Sequence, residues 1–283
     1  MKLPWPFSKS RSSRETYTLG YDDTAVALMA ARTAASHAAF FLPHLHPGQA
    51  VLDCGCGPGA ITRGLADLVA PGRVLGVEIE PTQVAMARDG AGPRTNLGFE
   101  VGDVYELPVE SDTFDRVHIG AVLMNLRDPA RALREAFRVL KPGGAIGVRE
   151  GDQGGDIIAP SDPIVDKGMA LYTRLRKHNG HDPFLGRRLR GLLHEAGFER
   201  IEVSAAYESH GTPEGVREVA RLWHGMITKS NVGRQLVELG WANEFALRMM
   251  AAKCESFAER PDAFAATAWC QAVAWKPAGA PRA

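Results

Sequence analysis

Ala50-Val51-Leu52 runs into Asp53-Cys54-Gly55-Cys56-Gly57-Pro58-Gly59, and a helical pattern opens at Ile61. A short apolar run bounded by turn residues reads as a buried strand. The glycines that follow let the chain reverse sharply and leave no Cβ between backbone and ligand. Strand, glycine turn and helix in that order form the entry to an open parallel sheet with a ligand seated at its carboxyl edge. Gly55, Gly57 and Ala60 also satisfy the dinucleotide spacing of glycine, glycine, then glycine or alanine, so the loop alone leaves the ligand undecided.

The pattern repeats downstream. Ile61 to Ala70 predicts a helix stopped by Pro71-Gly72, Val74 to Ile79 a second strand, and Pro81 to Asp89 a helix with proline in its first turn. Phe99-Glu100-Val101 and Phe114 to Gly120 predict two more strands, Pro129 to Leu140 a helix, and Ala145 to Arg149 a fifth strand entered through Lys141-Pro142-Gly143-Gly144. Upstream, apolar residues at helical spacing predict one helix over Asp22 to Phe41. Strands alternating with helices imply a mostly parallel, doubly wound sheet.

Past Glu150 the pattern changes. Glycine-rich Gly151 to Gly155 leads to helical segments at Ile164 to His178 and Gly186 to Ala196, then a strand over Phe198 to Ala206. A long helical stretch from Pro213 to Glu259 precedes a strand-like tail, Ala265 to Lys276. The expectation is a Rossmann-like α/β domain with a seven-stranded sheet, its last strand antiparallel, plus a helical cap. Residues 1–21 are the N-terminal tail and lid, 22–150 the core, and 151–283 the rest of the same domain, with cap insertions at about 151–196 and 212–263. Met1 to Arg14 has basic residues but no long apolar stretch, so it reads as a mobile tail rather than a signal peptide.

Lysine plus arginine and aspartate plus glutamate both total 33, so the formal net charge is zero. That balance argues against a nucleic-acid partner, and Arg187-Arg188-Leu189-Arg190 reads as a solvated helix face. Four cysteines make no disulfide framework, and Cys54 and Cys56 lack the second pair a zinc site needs. The expectations are reduced thiols, a cytoplasmic setting, no metal, no membrane span, and a monomer or homodimer.

Glu78 ends the second strand some 20 residues beyond the glycine loop, where a carboxylate accepts ribose hydroxyls. Four blocks then carry a resemblance: Val51 to Gly59; Gly76-Val77-Glu78-Ile79; Gly102-Asp103-Val104-Tyr105-Glu106-Leu107-Pro108 with Phe114-Asp115; and Arg138 to Gly144. Together they resemble the class I S-adenosylmethionine-dependent methyltransferases, closest to the ubiquinone and menaquinone biosynthesis type. The resemblance implies S-adenosylmethionine as cofactor, S-adenosylhomocysteine as product and methyl transfer to a small hydrophobic or aromatic acceptor. It implies that Asp53 orients the methionine ammonium, that Gly55, Cys56, Gly57 and Gly59 shape the loop, and that Glu78 holds the ribose. Asp103 would accept from the adenine amino group, with Ile79, Gly102, Val104, Gly120 and Ala121 lining the site.

Tyr17 and Tyr21 precede the first helix, where related enzymes close a tyrosine over the sulfonium. Asn125 stands where many relatives carry a histidine, so that base is missing here. Glu150 at the end of the fifth strand and His178 in the cap are the candidate bases, His118 reads as a core residue, and Tyr21 joins the catalytic set. Trp223, His224, Met226, Trp241 and Phe245 of the cap either pack helices together or line an apolar acceptor pocket. Two alternatives stay open: a cofactor-binding enzyme that cyclises or eliminates without methylating, and a nicotinamide oxidoreductase.

Overall fold

A computed structural model describes residues 17–279; the tail expected over Met1 to Arg14 lies outside them. The chain opens with α1 (Asp23–Ala30) and α2 (Ala34–His37), followed by a 3-10 turn at Leu42–His44. The single helix expected over Asp22 to Phe41 is therefore broken. Its alanine periodicity continues across the break, but Thr33 caps α2 through a reciprocal pair of bonds with Ser36, and this local bonding starts a new helix.

Next come β1 (Val51–Cys54), α3 (Ala60–Val69), β2 (Val74–Glu78), α4 (Pro81–Asp89), β3 (Leu97–Val101), β4 (Phe114–Gly120), α5 (Pro129–Val139) and β5 (Leu140–Gly151). The second half holds β6 (Ile157–Ala159), α6 (Pro163–His178), α7 (Leu189–Glu195), β7 (Glu199–His210), α8 (Pro213–Thr228), α9 (Asn231–Glu238), α10 (Glu244–Ala258) and β8 (Phe264–Trp275). The helical stretch expected from Pro213 to Glu259 is three helices. Ser230 caps α9, Asn243 caps α10, and Gly240 with φ +66° ends α9.

The strands form one eight-stranded sheet rather than a seven-stranded one. β3, β2, β1, β4 and β5 are parallel neighbours in that order, and β8 runs antiparallel to β5, β6 and β7. The added strand, β6, is three residues long and exists only through its pairing with distant Phe264–Ala266, which no local pattern announces. The strand order reverses between β1 and β4, so the loops after them splay apart and open a crevice at the carboxyl edge.

Alternate residues of the strands feed two cores. Leu52, Val77, Val117, Ile119, Leu133, Leu193 and Phe198 pack on one face; Phe41, Val51, Leu65, Val74, Phe99 and Val273 pack on the other. α7 belongs to the first core through Leu189, Leu192 and Leu193 rather than to the cap in which the sequence places it. α6, α9 and α10 make a separate cap cluster around Leu171, Leu175, Val232, Leu236 and Met250. Among the described residues no helix is long and apolar enough to cross a membrane.

Phe41 is fully buried and lies flat against β5, so close that a Cβ on Gly147 would stand 2.4 Å from its ring. Truncating it leaves a cavity that the rigid sheet cannot fill. Phe41→Ala is expected to cost about 3–5 kcal/mol of stability, read as a shift in the denaturant midpoint at constant slope; a loss under ~1 kcal/mol would contradict this packing.

Candidate active site

The carboxyl ends of β1, β2, β3 and β4 face a cleft that opens to solvent. The glycine loop forms its floor. Gly55, Gly57 and Gly59 all have positive φ, and a Cβ on Gly55 would lie 2.4 Å from Val122. A Cβ on Gly57 would have only Met29 within 4 Å and would stand in the cleft itself. The loop thus presents bare backbone to whatever binds there.

Glu78 holds that loop. Its Oε2 accepts from the Gly57 N–H at 3.1 Å, and its Oε1 accepts from the Ile79 and Glu80 N–H groups at 2.8 and 3.1 Å. Burial raises its carboxyl above the usual range, and the three donors partly offset this. Each carboxylate oxygen has further acceptor capacity, and Glu78 lines the cleft.

Asp53 is placed differently from its expected role. Its Oδ2 accepts from the Thr62 hydroxyl at 2.6 Å, and His118 Nδ1 donates to its Oδ1 at 2.8 Å. It is buried beneath the loop and does not line the cleft. Buried and bonded to Thr62 and His118, this aspartate ties β1, α3 and β4 together and acts on the cleft through them. His118 is a core residue, stacked on Phe41. Gly59 and Gly102 also lie outside the cleft wall, Gly59 packing against Phe99 and Gly102 against Val77.

At the other end Asp103 is 4% exposed, and its Oδ1 accepts from the Tyr105 N–H at 2.9 Å. Val104, Tyr105 and Ile79 flank it. Cys56, Gly120 and Ala121 line the middle, with Met29, Arg32, Val122, Asn125 and Leu126. Met29 and Arg32 escaped the sequence reading because the break between α1 and α2 aims them inward. Asn125 does not stand free. Its Nδ2 donates to the Ala121 carbonyl, and Arg176 Nη2 reaches its Oδ1 and the Met124 carbonyl.

Tyr17 and Tyr21 form one wall, their rings 5.3 Å apart. Between them Thr18 is pinned to the cap. Its hydroxyl meets His181 Nδ1 and the Asn179 amide, both at 2.9 Å, and Gln235 donates to its carbonyl at 3.2 Å. Burial pushes the Tyr17 phenol up to about 12 and raises Tyr21 too, the latter helped by the charge of Glu78. Both stay protonated near neutrality.

Neither candidate base reaches the cleft. Glu150 is fully buried, its Oε1 accepting from the Val122 and Leu123 N–H groups and its Oε2 from Met124. It fastens the loop after β4. His178 is exposed on the outer end of α6, edge-on to Trp241 at 5.3 Å. Trp223 and Met226 line a separate, small apolar pocket of the cap, with Tyr172 and Met250, whereas Phe245 is exposed.

A family model described as a methyltransferase domain matches residues 52–148. An uncharacterized methyltransferase of Schizosaccharomyces pombe is 32% identical over 225 residues, 76% of this chain and 81% of that one. The demethylmenaquinone methyltransferase of Lactobacillus johnsonii is 34% identical over 132 residues, 45% of this chain and 52% of that enzyme. Phosphoethanolamine N-methyltransferase 2 of Haemonchus contortus, solved with S-adenosylmethionine, has the same fold: TM-score 0.52 at 20% identity, over 82% of this chain and 50% of that one. The chain thus spans about half the length of the last two. It belongs to the class I S-adenosylmethionine-dependent methyltransferases, and its cofactor is S-adenosylmethionine. The donor set fits: a glycine cradle without Cβ atoms, then one carboxylate at mid-cleft and another at the far end.

Burial lifts the Glu150 carboxyl from its ordinary 4.5 to about 7. Folding therefore favours the protonated acid, a contribution complete below pH 4.5 and lost as pH rises through 7. Between pH 5 and 8 the wild type should lose up to roughly 3 kcal/mol of stability relative to Glu150→Gln, measured by denaturant unfolding at both pH values. Parallel pH profiles for the two proteins would contradict this.

Proposed function

We propose that this methyltransferase acts on a small hydrophobic or aromatic metabolite held between the cofactor cleft and the cap. The observation that carries the reading is the roof: Tyr17 and Tyr21 close the cleft while Thr18 is locked to α6 and α9. A cleft roofed by a segment held in three hydrogen bonds, two of them buried, and walled by Met29, Ile61, Val122 and Leu126 suits a small apolar metabolite. The likeness to the demethylmenaquinone enzyme, whose acceptor is quinone-type by its name, covers mainly the core and so supports the aromatic class only in part.

Within the cleft, Glu78 receives the ribose hydroxyls, Asp103 accepts from the adenine amino group, and the backbone of Val104 faces the ring. The glycine loop carries the amino-acid end, with Asp53 positioning it from below. When bound, the cofactor supplies an electrophilic methyl group on a cationic sulfonium. The chain's contribution is to align the acceptor in line with that group and to exclude water. Tyr17 and Tyr21, held protonated, shape the roof instead of removing a proton. Glu150 and His178 serve as no base from where they stand, so the acceptor arrives already nucleophilic.

Removing an acceptor of charged or donor-rich hydrogen bonds costs about 1.5–3 kcal/mol, so Glu78→Ala and Asp103→Ala should each weaken S-adenosylhomocysteine binding by about 10–100-fold in calorimetry. Retained affinity in both would overturn the assignment. His178→Ala, an exposed change, should leave acceptor turnover within about twofold; a larger loss would restore it as a candidate base.

A further inference from the structure

Beside the cleft lies a charged cluster that cofactor binding does not employ. Arg149 lies two residues before the end of β5, paired with Gly120 of the cleft wall, and it is 6% exposed. Its Nε has no hydrogen-bond partner among the described residues, and neither does the Nε of cleft-lining Arg32. Both guanidinium groups lie over Trp269, at 4.8 and 5.4 Å from the ring centroid. The nearby carboxylate, Glu208, is already engaged by Trp269 Nε1 at 3.2 Å and by His37 Nε2 at 3.6 Å. Burial lowers His37 below its ordinary range, so the ring adds little positive charge near neutrality. Two cations, one of them buried, thus share one partly exposed carboxylate.

A buried guanidinium with an unused donor is costly to keep. Its planar fork matches a carboxylate, and Arg32 carries the cluster's charge to the cleft wall. The geometry points to Arg149, with Arg32 and Trp269, as the dock for a carboxylate on the methyl acceptor, which makes the acceptor a small hydrophobic or aromatic acid. This deepens the function proposed above and rests on it. The acid anchors at the guanidinium pair, leaving the remainder of the molecule to reach Gly120 and Ala121, where the transferred methyl group would be presented.

The test titrates protein saturated with S-adenosylhomocysteine against benzoate, cinnamate and 2-naphthoate, each beside its primary amide. At least one acid should bind about tenfold or more tightly than its amide, the magnitude of a charge-assisted bidentate contact. Arg149→Gln should bring that acid to the level of its amide while S-adenosylhomocysteine affinity stays within about twofold; Arg149→Lys should recover part of the preference. Acids no better than amides on the wild type would overturn the inference and leave the cofactor site standing. Equal weakening of S-adenosylhomocysteine in Arg149→Gln would overturn it too, by assigning the cluster to the donor's own carboxylate. Failure of the wild type to bind S-adenosylhomocysteine would fell the underlying reading and this one with it. Should Arg149→Gln not fold by circular dichroism, the wild-type contrast and Arg32→Gln decide.

Discussion

The carboxylate of Glu78 receives three backbone N–H groups, one from the glycine loop and two from the turn after its own strand. Those donors point into a space where no helix or sheet can satisfy them, and leaving them bare would cost about 1–3 kcal/mol each. The same device recurs along the carboxyl edge. Glu150 takes three N–H groups of the loop after β4, and Asp53 takes Thr62 and His118 below the glycine turn. Buried acids at strand ends hold the loops open in one conformation, and the cleft exists because the loops cannot collapse into it.

From that constraint the division of labour follows. Acids buried away from the cleft, Asp53 and Glu150, set geometry through the chain groups they hold. The acids that line the cleft are Glu78 and Asp103. The roof obeys the same logic with neutral groups, Thr18 being satisfied by His181, Asn179 and Gln235. In such a site rate enhancement comes from alignment and exclusion of water more than from proton transfer. The phenols raised by burial agree with that.

The parallel half of the fold was legible in the sequence. Pro81 to Asp89 and Phe114 to Gly120 begin and end where the residues say, because proline, glycine and aspartate punctuate them. The break between α1 and α2 was not, since alanine periodicity crosses Thr33 unaltered and only the capping box reveals it. β6 depends wholly on a partner a hundred residues away. Most of the cofactor wall was readable from motif and spacing. What Asp53 and Glu150 do was not, because which atoms fill a carboxylate's oxygens is decided by tertiary packing. Met29 and Arg32 stayed hidden for the same reason as the helix break that turns them inward.

The central claim is that one cleft, floored by the glycine loop and braced by Glu78, receives the cofactor. A crystal structure of the protein grown with S-adenosylhomocysteine tests it most directly. The account predicts adenine beside Asp103 and Val104, ribose hydroxyls on Glu78, and the amino-acid end over Gly55 and Gly57 beneath Tyr17. Density for the ligand in the cap cavity between α6, α8 and α10, with the glycine loop bare, would contradict it.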